Sequence, residues 1–147
     1  MKVGPGVRSW AAAAVIAFAA AAPAWADVPP PVLAAEGVWR NPKDTVHIEL
    51  KPCGGQVCGF VVWASEKAEA AARKVSGKAL LGQQLMRNFV IGSDHVGRGK
   101  VYVPDLNATF SGTAQQVDAR TLRARGCLLA NVLCKSQVWT RIDNLPS

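Results

Sequence analysis

From Thr45 to Leu50 apolar and polar positions alternate strictly: Val46, Ile48 and Leu50 fall on one face, Thr45, His47 and Glu49 on the other. A period of two marks a half-buried strand with one face toward solvent, so His47 is expected at the surface. Pro52 to Gln56 turns the chain, and Val57 to Trp63 returns as a more fully apolar strand. Ser65 to Gly77 has a different rhythm and predicts the one helix. Ser65 is placed to cap it, Glu66 and Glu69 suit its positive end, Arg73 and Lys74 its negative end, and Gly77 stops it. Its alanine content predicts a solvent-facing insertion. Beyond Leu80 short strand-like runs recur at Leu85 to Ile91, Lys100 to Val103, Asn107 to Gly112, Thr121 to Leu129 and Gln137 to Ile142. Gly92-Ser93-Asp94, Gly97-Arg98-Gly99 and Pro104-Asp105 read as the turns between them. Many short strands with one short helix predict a mainly β fold, a small antiparallel up-and-down β-barrel. Closure would also remove the exposed strand edges that invite aggregation.

The amino terminus follows another logic. Lys2 and Arg8 precede an uncharged apolar run from Trp10 to Ala22, and Ala24-Trp25-Ala26 supplies a small-x-small site before Asp27. A basic segment, a short apolar segment and such a site describe a cleaved secretory signal peptide over residues 1–26. The apolar run falls short of the ~20 residues a membrane-spanning helix needs, and no second such segment follows, so no transmembrane segment is expected in the mature chain. Residues 27–35, with Pro29, Pro30 and Pro31, read as an extended leader. Residues 36–143 are then a single barrel domain and 144–147 a tail, in a periplasmic or secreted protein.

Export changes how composition is read. Removing the first 26 of 147 residues leaves 121, and loss of Lys2 and Arg8 lowers the net charge from +7 to +5. That excess is moderate, without the dense basic run or interleaved aromatics of a nucleic-acid footprint, so no nucleic-acid partner is expected. Cys53, Cys58, Cys127 and Cys134 all lie in the mature part. An even count in an oxidising compartment predicts disulfides. Three pairings exist, and Cys53–Cys58 with Cys127–Cys134 is expected because each brackets turn-like residues.

Candidate chemistry is sparse. A thioredoxin-like centre uses Cys-x-x-Cys at a helix start, whereas four residues separate Cys53 from Cys58 between predicted strands. Zinc knuckles use shorter spacings than these two pairs. No G-x-S-x-G, H-E-x-x-H or glycine-rich phosphate loop occurs. His95 follows Ser93-Asp94 in a predicted loop, and nothing in the spacing of Glu36, Asp44, Glu49 and Asp105 forces them together. No catalytic residue, metal ligand or cofactor site is assigned. Trp63, Tyr102 and the alternating pair Arg123 and Arg125 remain as candidate ligand or partner contacts.

Several short motifs together resemble a known family. They are Gly37-x-Trp39, Cys53-x4-Cys58-Gly59 followed by Val61-Val62-Trp63, Leu81-Gly82 ahead of Arg87-Asn88-Phe89, and Val101-Tyr102-x-Pro104. Leu122-x-Ala124-Arg125-Gly126-Cys127 and the closing Ser136-Gln137-x-Trp139-Thr140-Arg141 complete the set. The pattern resembles the small exported bacterial proteins grouped as domain of unknown function 2147, across nearly the whole mature chain. The resemblance implies a compact calycin-type, lipocalin-like barrel and no established activity. It further implies that Gly37, Trp39 and Arg141 close the barrel, the cation lying over the indole. The chain departs from the pattern in its Ala-rich helix, in the residue before Pro104 and at Ala108, where the family carries glycine nearby. The expected function is non-catalytic binding of a small apolar or amphipathic ligand, or of a cell-envelope partner. A structural envelope protein without a ligand, or a carboxylate-based hydrolase, is the alternative.

Overall fold

The structure is a computed structural model and describes residues 35–129 and 132–146. The expected signal peptide, and all but the last residue of the expected proline-rich leader, therefore lie outside the described residues. Eight antiparallel strands pair each with the next, and β8 pairs back onto β1: β1 (Gly37–Arg40), β2 (Val46–Cys53), β3 (Gln56–Ala64), β4 (Gln84–Ile91), β5 (Gly97–Val103), β6 (Ala108–Asp118), β7 (Thr121–Leu129) and β8 (Val132–Ile142). This is the closed up-and-down barrel the alternating pattern implies. Its helix α1 (Glu66–Ser76) connects β3 to β4, and a 3-10 turn (Pro104–Leu106) connects β5 to β6. Up-and-down connection sorts the loops onto two ends. One end carries the start of β1 with the β2–β3, β4–β5 and β6–β7 turns, and is called the clasp end below. The other carries the 41–45 loop, α1, the 3-10 turn and the β7–β8 turn, and is called the helix end.

Inward-facing residues follow the pleat. Trp39, Ile48, Leu50, Val61, Met86, Phe89 and Leu122 are buried at the waist, each contributing on the order of 1.5–3 kcal/mol by leaving water. The alternation in β4 would point Asn88 inward. Instead Asn88 adopts a left-handed φ of 53° at an irregularity in the β4–β5 pairing between Arg87 and Val90. That bulge resets the pleat, so Phe89 enters the core and Asn88 stays outside. Asparagine is among the few residues that tolerate this conformation cheaply.

The sequence places Gly97-Arg98-Gly99 in a turn, and here it is corrected: all three belong to β5. Gly97 and Gly99 face inward and are small because Phe89 lies against them. A Cβ on Gly99 would stand 2.5 Å from Phe89 Cδ2 and 2.7 Å from the Arg87 carbonyl. β6 and β8 likewise run longer than the pattern suggests, since exposed polar residues past Gly112 and before Gln137 continue the ladder.

His47 is the second correction. It is 2% exposed, although its position in the pleat is outward, opposite Trp63. The Trp63 ring lies 4.5 Å from the imidazole, centroid to centroid, so a large cross-strand neighbour covers it. Asp44 Oδ1 stands 2.6 Å from His47 Nε2. That hydrogen bond holds the Asp44 carboxyl below its ordinary pKa.

The helix has the caps its sequence implies: Ser65 Oγ accepts from the Ala68 N–H, and left-handed Gly77 donates to Arg73 O. It is not a free insertion, however. Ala72 is fully buried, and Glu69 reaches eleven residues on to accept hydrogen bonds from the Leu80 N–H and also from that of Leu81. Burial works to raise the Glu69 pKa, but those two amides and Arg73 prevail and hold it below its ordinary value. The carboxylate thereby pins α1 over the returning segment, while the helix reaches across the helix end to the 3-10 turn.

Candidate ligand cavity

Closure of the barrel is local chemistry at the clasp end. Trp39 pairs with Arg141 across the β1–β8 seam, and the guanidinium sits 4.4 Å from the indole centroid. Arg141 Nε donates to Ala119 O at 2.9 Å and Nη1 donates to Glu36 O. Trp39 Nε1 donates to Ala35 O. A Cβ on Gly37 would meet Arg141 Nη1 at 2.6 Å, and its φ is 122°. Glycine, tryptophan and arginine are therefore interdependent: the first makes room for the third, which covers the second.

Beside this clasp the barrel opens into a cavity of about 280 Å3 lined by Leu50, Val57, Met86, Phe89, Ala114 and Leu122, with Gln116, Asp118 and His95 among its polar residues. Space exists there because the inner face of β5, β6 and β7 is built from small residues. Gly97 stands opposite Ala114, which stands opposite Ala124; Gly99 stands opposite Gly112, which stands opposite Gly126. Phe89 lies against Gly97 and Gly99 and Val101 against Gly112, and Gly97 and Ala114 are the part of that wall that lines the cavity. Gln116 pairs with inward-facing Leu122. Its Oε1 is buried and accepts no hydrogen bond from the protein. A desolvated acceptor in an apolar wall is costly unless something donates to it.

The titratable rim groups are mostly committed. Asp118 accepts from the Arg120 N–H at 2.8 Å, and this bond with the Thr121 hydroxyl lowers its pKa. Asp94 is held at about 2, chiefly by Arg98, whose Nη2 lies 2.6 Å from it. Among the described residues lining the cavity there is no serine, threonine or cysteine to act as a nucleophile. The acids Glu36, Asp44, Glu49 and Asp105 lie respectively before β1, in the 41–45 loop, on the outer face of β2 and in the 3-10 turn. They form no common cluster. Among the described residues no group of three or more His, Cys, Asp or Glu side chains is placed to hold a metal ion.

The sequence-derived contacts fall elsewhere. Trp63 packs on His47 at the outer wall. Tyr102 lies under Arg87, 5.1 Å from its guanidinium carbon, and donates to Asn107 Oδ1. It lines a second cleft of about 360 Å3 at the helix end, with Val46, Leu80, Val101, Trp139 and exposed Lys43 and Asp105. Arg123 and Arg125 are exposed on the outside of β7. None of the four reaches the clasp-end cavity. Sequence reasoning missed Gln116 and the small-residue wall. The available signal was the period-two spacing Gly97-x-Gly99, Gly112-x-Ala114 and Ala124-x-Gly126. Both disulfides are local, Cys53–Cys58 at the clasp end and Cys127–Cys134 at the helix end, and no free cysteine is present among the described residues.

An eight-stranded closed up-and-down barrel with this indole–guanidinium clasp is a lipocalin-like fold. The chain belongs to the family described as uncharacterized protein conserved in bacteria (DUF2147), whose profile matches residues 37–141. Its barrel is similar to the solved structure of protein HP1028 from Helicobacter pylori, described as belonging to the lipocalin family. The TM-score is 0.57 at 11% sequence identity, covering 74% of this chain and 83% of that one. At that identity the likeness is one of fold. Comparison with curated proteins gives no match.

Proposed function

We propose that the protein is an exported binder of a small, mostly apolar molecule bearing one hydroxyl-type polar head, held in the clasp-end cavity. The observation that carries this reading is Gln116 Oε1, buried without a donor in a mostly apolar wall. A hydroxyl both donates and accepts, so it satisfies the amide in either orientation. An apolar cavity of about 150 Å3 is enough for benzene, so about 280 Å3 suits a molecule of roughly ten heavy atoms. Pockets for larger ligands run to ~1,000 Å3. The lipocalin-like fold supports a ligand-binding role in general terms. Two disulfides, and the lack among the described residues of any helix long and apolar enough to cross a membrane, are compatible with an extracytoplasmic location. Within this reading residues 1–26 are removed, and amino-terminal sequencing of the exported protein begins at Asp27.

Mass spectrometry of solvent extracts from the purified protein, with para-propylphenol titrated into the stripped protein, tests the reading. An extracted small amphiphile that is lost in the cavity-filling variant Ala114→Leu, with the circular dichroism spectrum unchanged, is the expected result. No extracted molecule, together with no saturable binding of the phenol at millimolar concentration, would overturn it.

A further inference from the structure

The β7–β8 hairpin, at the opposite end from the cavity, carries an unusual surface. Leu128, Leu129, Val132 and Leu133 are 56, 68, 58 and 71% exposed, four large aliphatics within one turn. Single exposed aliphatics are ordinary, whereas a contiguous group signals an interaction site. Cys127–Cys134 ties the two arms at the base of the turn, so the group is presented on a fixed support. Leu129 faces Val132 across the ladder, and Leu133 is held at a left-handed φ of 54°.

The second observation is charge. Below the aliphatic tip, exposed Arg125 and Arg123 follow one another down the outer face of β7, while exposed Lys135 pairs with Gly126 and so stands on the other face of β8. Lys100 joins the two arginines in the outward row that runs through Ser111 to Cys127 and Cys134, and it donates to Ser111 Oγ. Along β5 to β8 the only carboxylate is Asp118, at the far clasp end. At the helix end Asp44 is paired with Arg40 and His47, Glu69 is held by Arg73 and the Leu80 and Leu81 amides, and Asp105 and Glu66 are exposed acids. At the clasp end Arg98 is already paired with Asp94. An apolar tip above a one-sided basic collar has the order of chemistry met when descending through an anionic lipid leaflet. The headgroups meet the cations and the acyl boundary meets the aliphatics. A protein partner would have to supply an apolar socket ringed by acids, which is a narrower requirement.

We infer that the disulfide-tied ends of β7 and β8 dock the barrel peripherally on an anionic lipid surface, with Leu128, Leu129, Val132 and Leu133 in the interface and Arg123, Arg125 and Lys100 against the phosphates. Each cation removed weakens attachment about fivefold near such a surface, and high salt screens the attraction.

Co-sedimentation with phosphatidylglycerol-containing and with pure phosphatidylcholine vesicles tests this on the intact mature chain. Two variants are needed: Leu129→Ser with Leu133→Asn, and Arg123→Glu with Arg125→Glu. Thermal unfolding by circular dichroism confirms that each folds. The wild type is expected to bind anionic vesicles at least tenfold better than neutral ones, and each variant to lose at least tenfold of that binding. Equal binding to both vesicle types, binding unchanged in either variant, or no binding would each overturn the inference. So would a vesicle-free wild-type dimer that Leu129→Ser with Leu133→Asn dissolves, because the hairpin would then be an interface between copies.

Discussion

Replacing Gln116 with leucine separates stability from binding in a way few substitutions here can. The two side chains are close in size, and Gln116 already faces inward opposite Leu122. The change removes a buried acceptor that receives no hydrogen bond from the protein. Deleting an unsatisfied polar group without leaving a partner stranded is neutral or stabilising, so Gln116→Leu is expected to leave unfolding free energy unchanged or raise it by up to ~1 kcal/mol. Binding should move the other way. A ligand of about ten heavy atoms at ~0.4–0.5 kcal/mol per atom binds with about 4–5 kcal/mol, which is a sub-millimolar to millimolar dissociation constant. One hydrogen bond contributes about 0.5–1.5 kcal/mol of that. Losing it weakens para-propylphenol roughly two- to tenfold, while para-propyltoluene, which has no donor, should bind the variant as well as the wild type or better. Calorimetric titration of both compounds into both proteins measures the double difference. A preference for the phenol that survives in Gln116→Leu would refute the assigned role. So would destabilisation beyond ~1 kcal/mol in urea, which would mean the amide supports the fold.

Three further outcomes follow from the packing. Arg141→Met removes a cation–π contact and two charge-assisted hydrogen bonds to backbone oxygens, and should lower stability by about 2–4 kcal/mol in urea with the m-value unchanged; a loss under 1 kcal/mol would show that the clasp is incidental. Gly99→Ala should destabilise by about 1–3 kcal/mol because its new methyl meets Phe89 and the Arg87 carbonyl. Gly126→Ala meets nothing within 4 Å and should be neutral or slightly stabilising by chevron or melting analysis. For the β4–β5 loop, the Asp94 carboxyl falls from an ordinary 3.8 to about 2 in the folded protein. A depressed folded value contributes stability above the unfolded pKa and loses it as pH falls through the folded one. The stability gap between wild type and Asp94→Asn should thus be full above pH ~4 and vanish near pH ~2; a gap independent of pH would refute the Arg98 pairing.

How much of this was legible in the chain differs by residue, for physical reasons. The helix was readable to its caps because Ser65 and Gly77 act through local backbone geometry. The barrel class was readable because alternation records which face is buried. The local disulfides were readable as an expectation, since short loops close cheaply. His47 was misread because alternation reports the direction of a side chain and says nothing of what stands opposite. Only the register shows that Trp63 covers it. Gly97 and Gly99 were misread because glycine signals both turns and close packing, and the choice depends on Phe89, whose own direction depends on the Asn88 bulge. Gln116 looked like one more polar residue. Its burial is created by strands distant in sequence, so no local pattern announces it.

The filled waist also decides how the two ends relate. Trp39, Ile48, Val61, Met86 and Phe89 are all buried between them, so the cavity at the clasp end and the hairpin at the helix end share no side chain. Sites separated by packed core with no common partner perturb one another by ~0.3–0.5 kcal/mol or less, about a twofold change in affinity. Gln116→Leu should therefore leave vesicle attachment unchanged within that margin, and Leu129→Ser with Leu133→Asn should leave phenol binding unchanged. A coupling of tenfold or more between them would require a two-state movement of the barrel wall. The most direct route for it would be β6 and β7, which line the cavity at one end and reach the hairpin at the other.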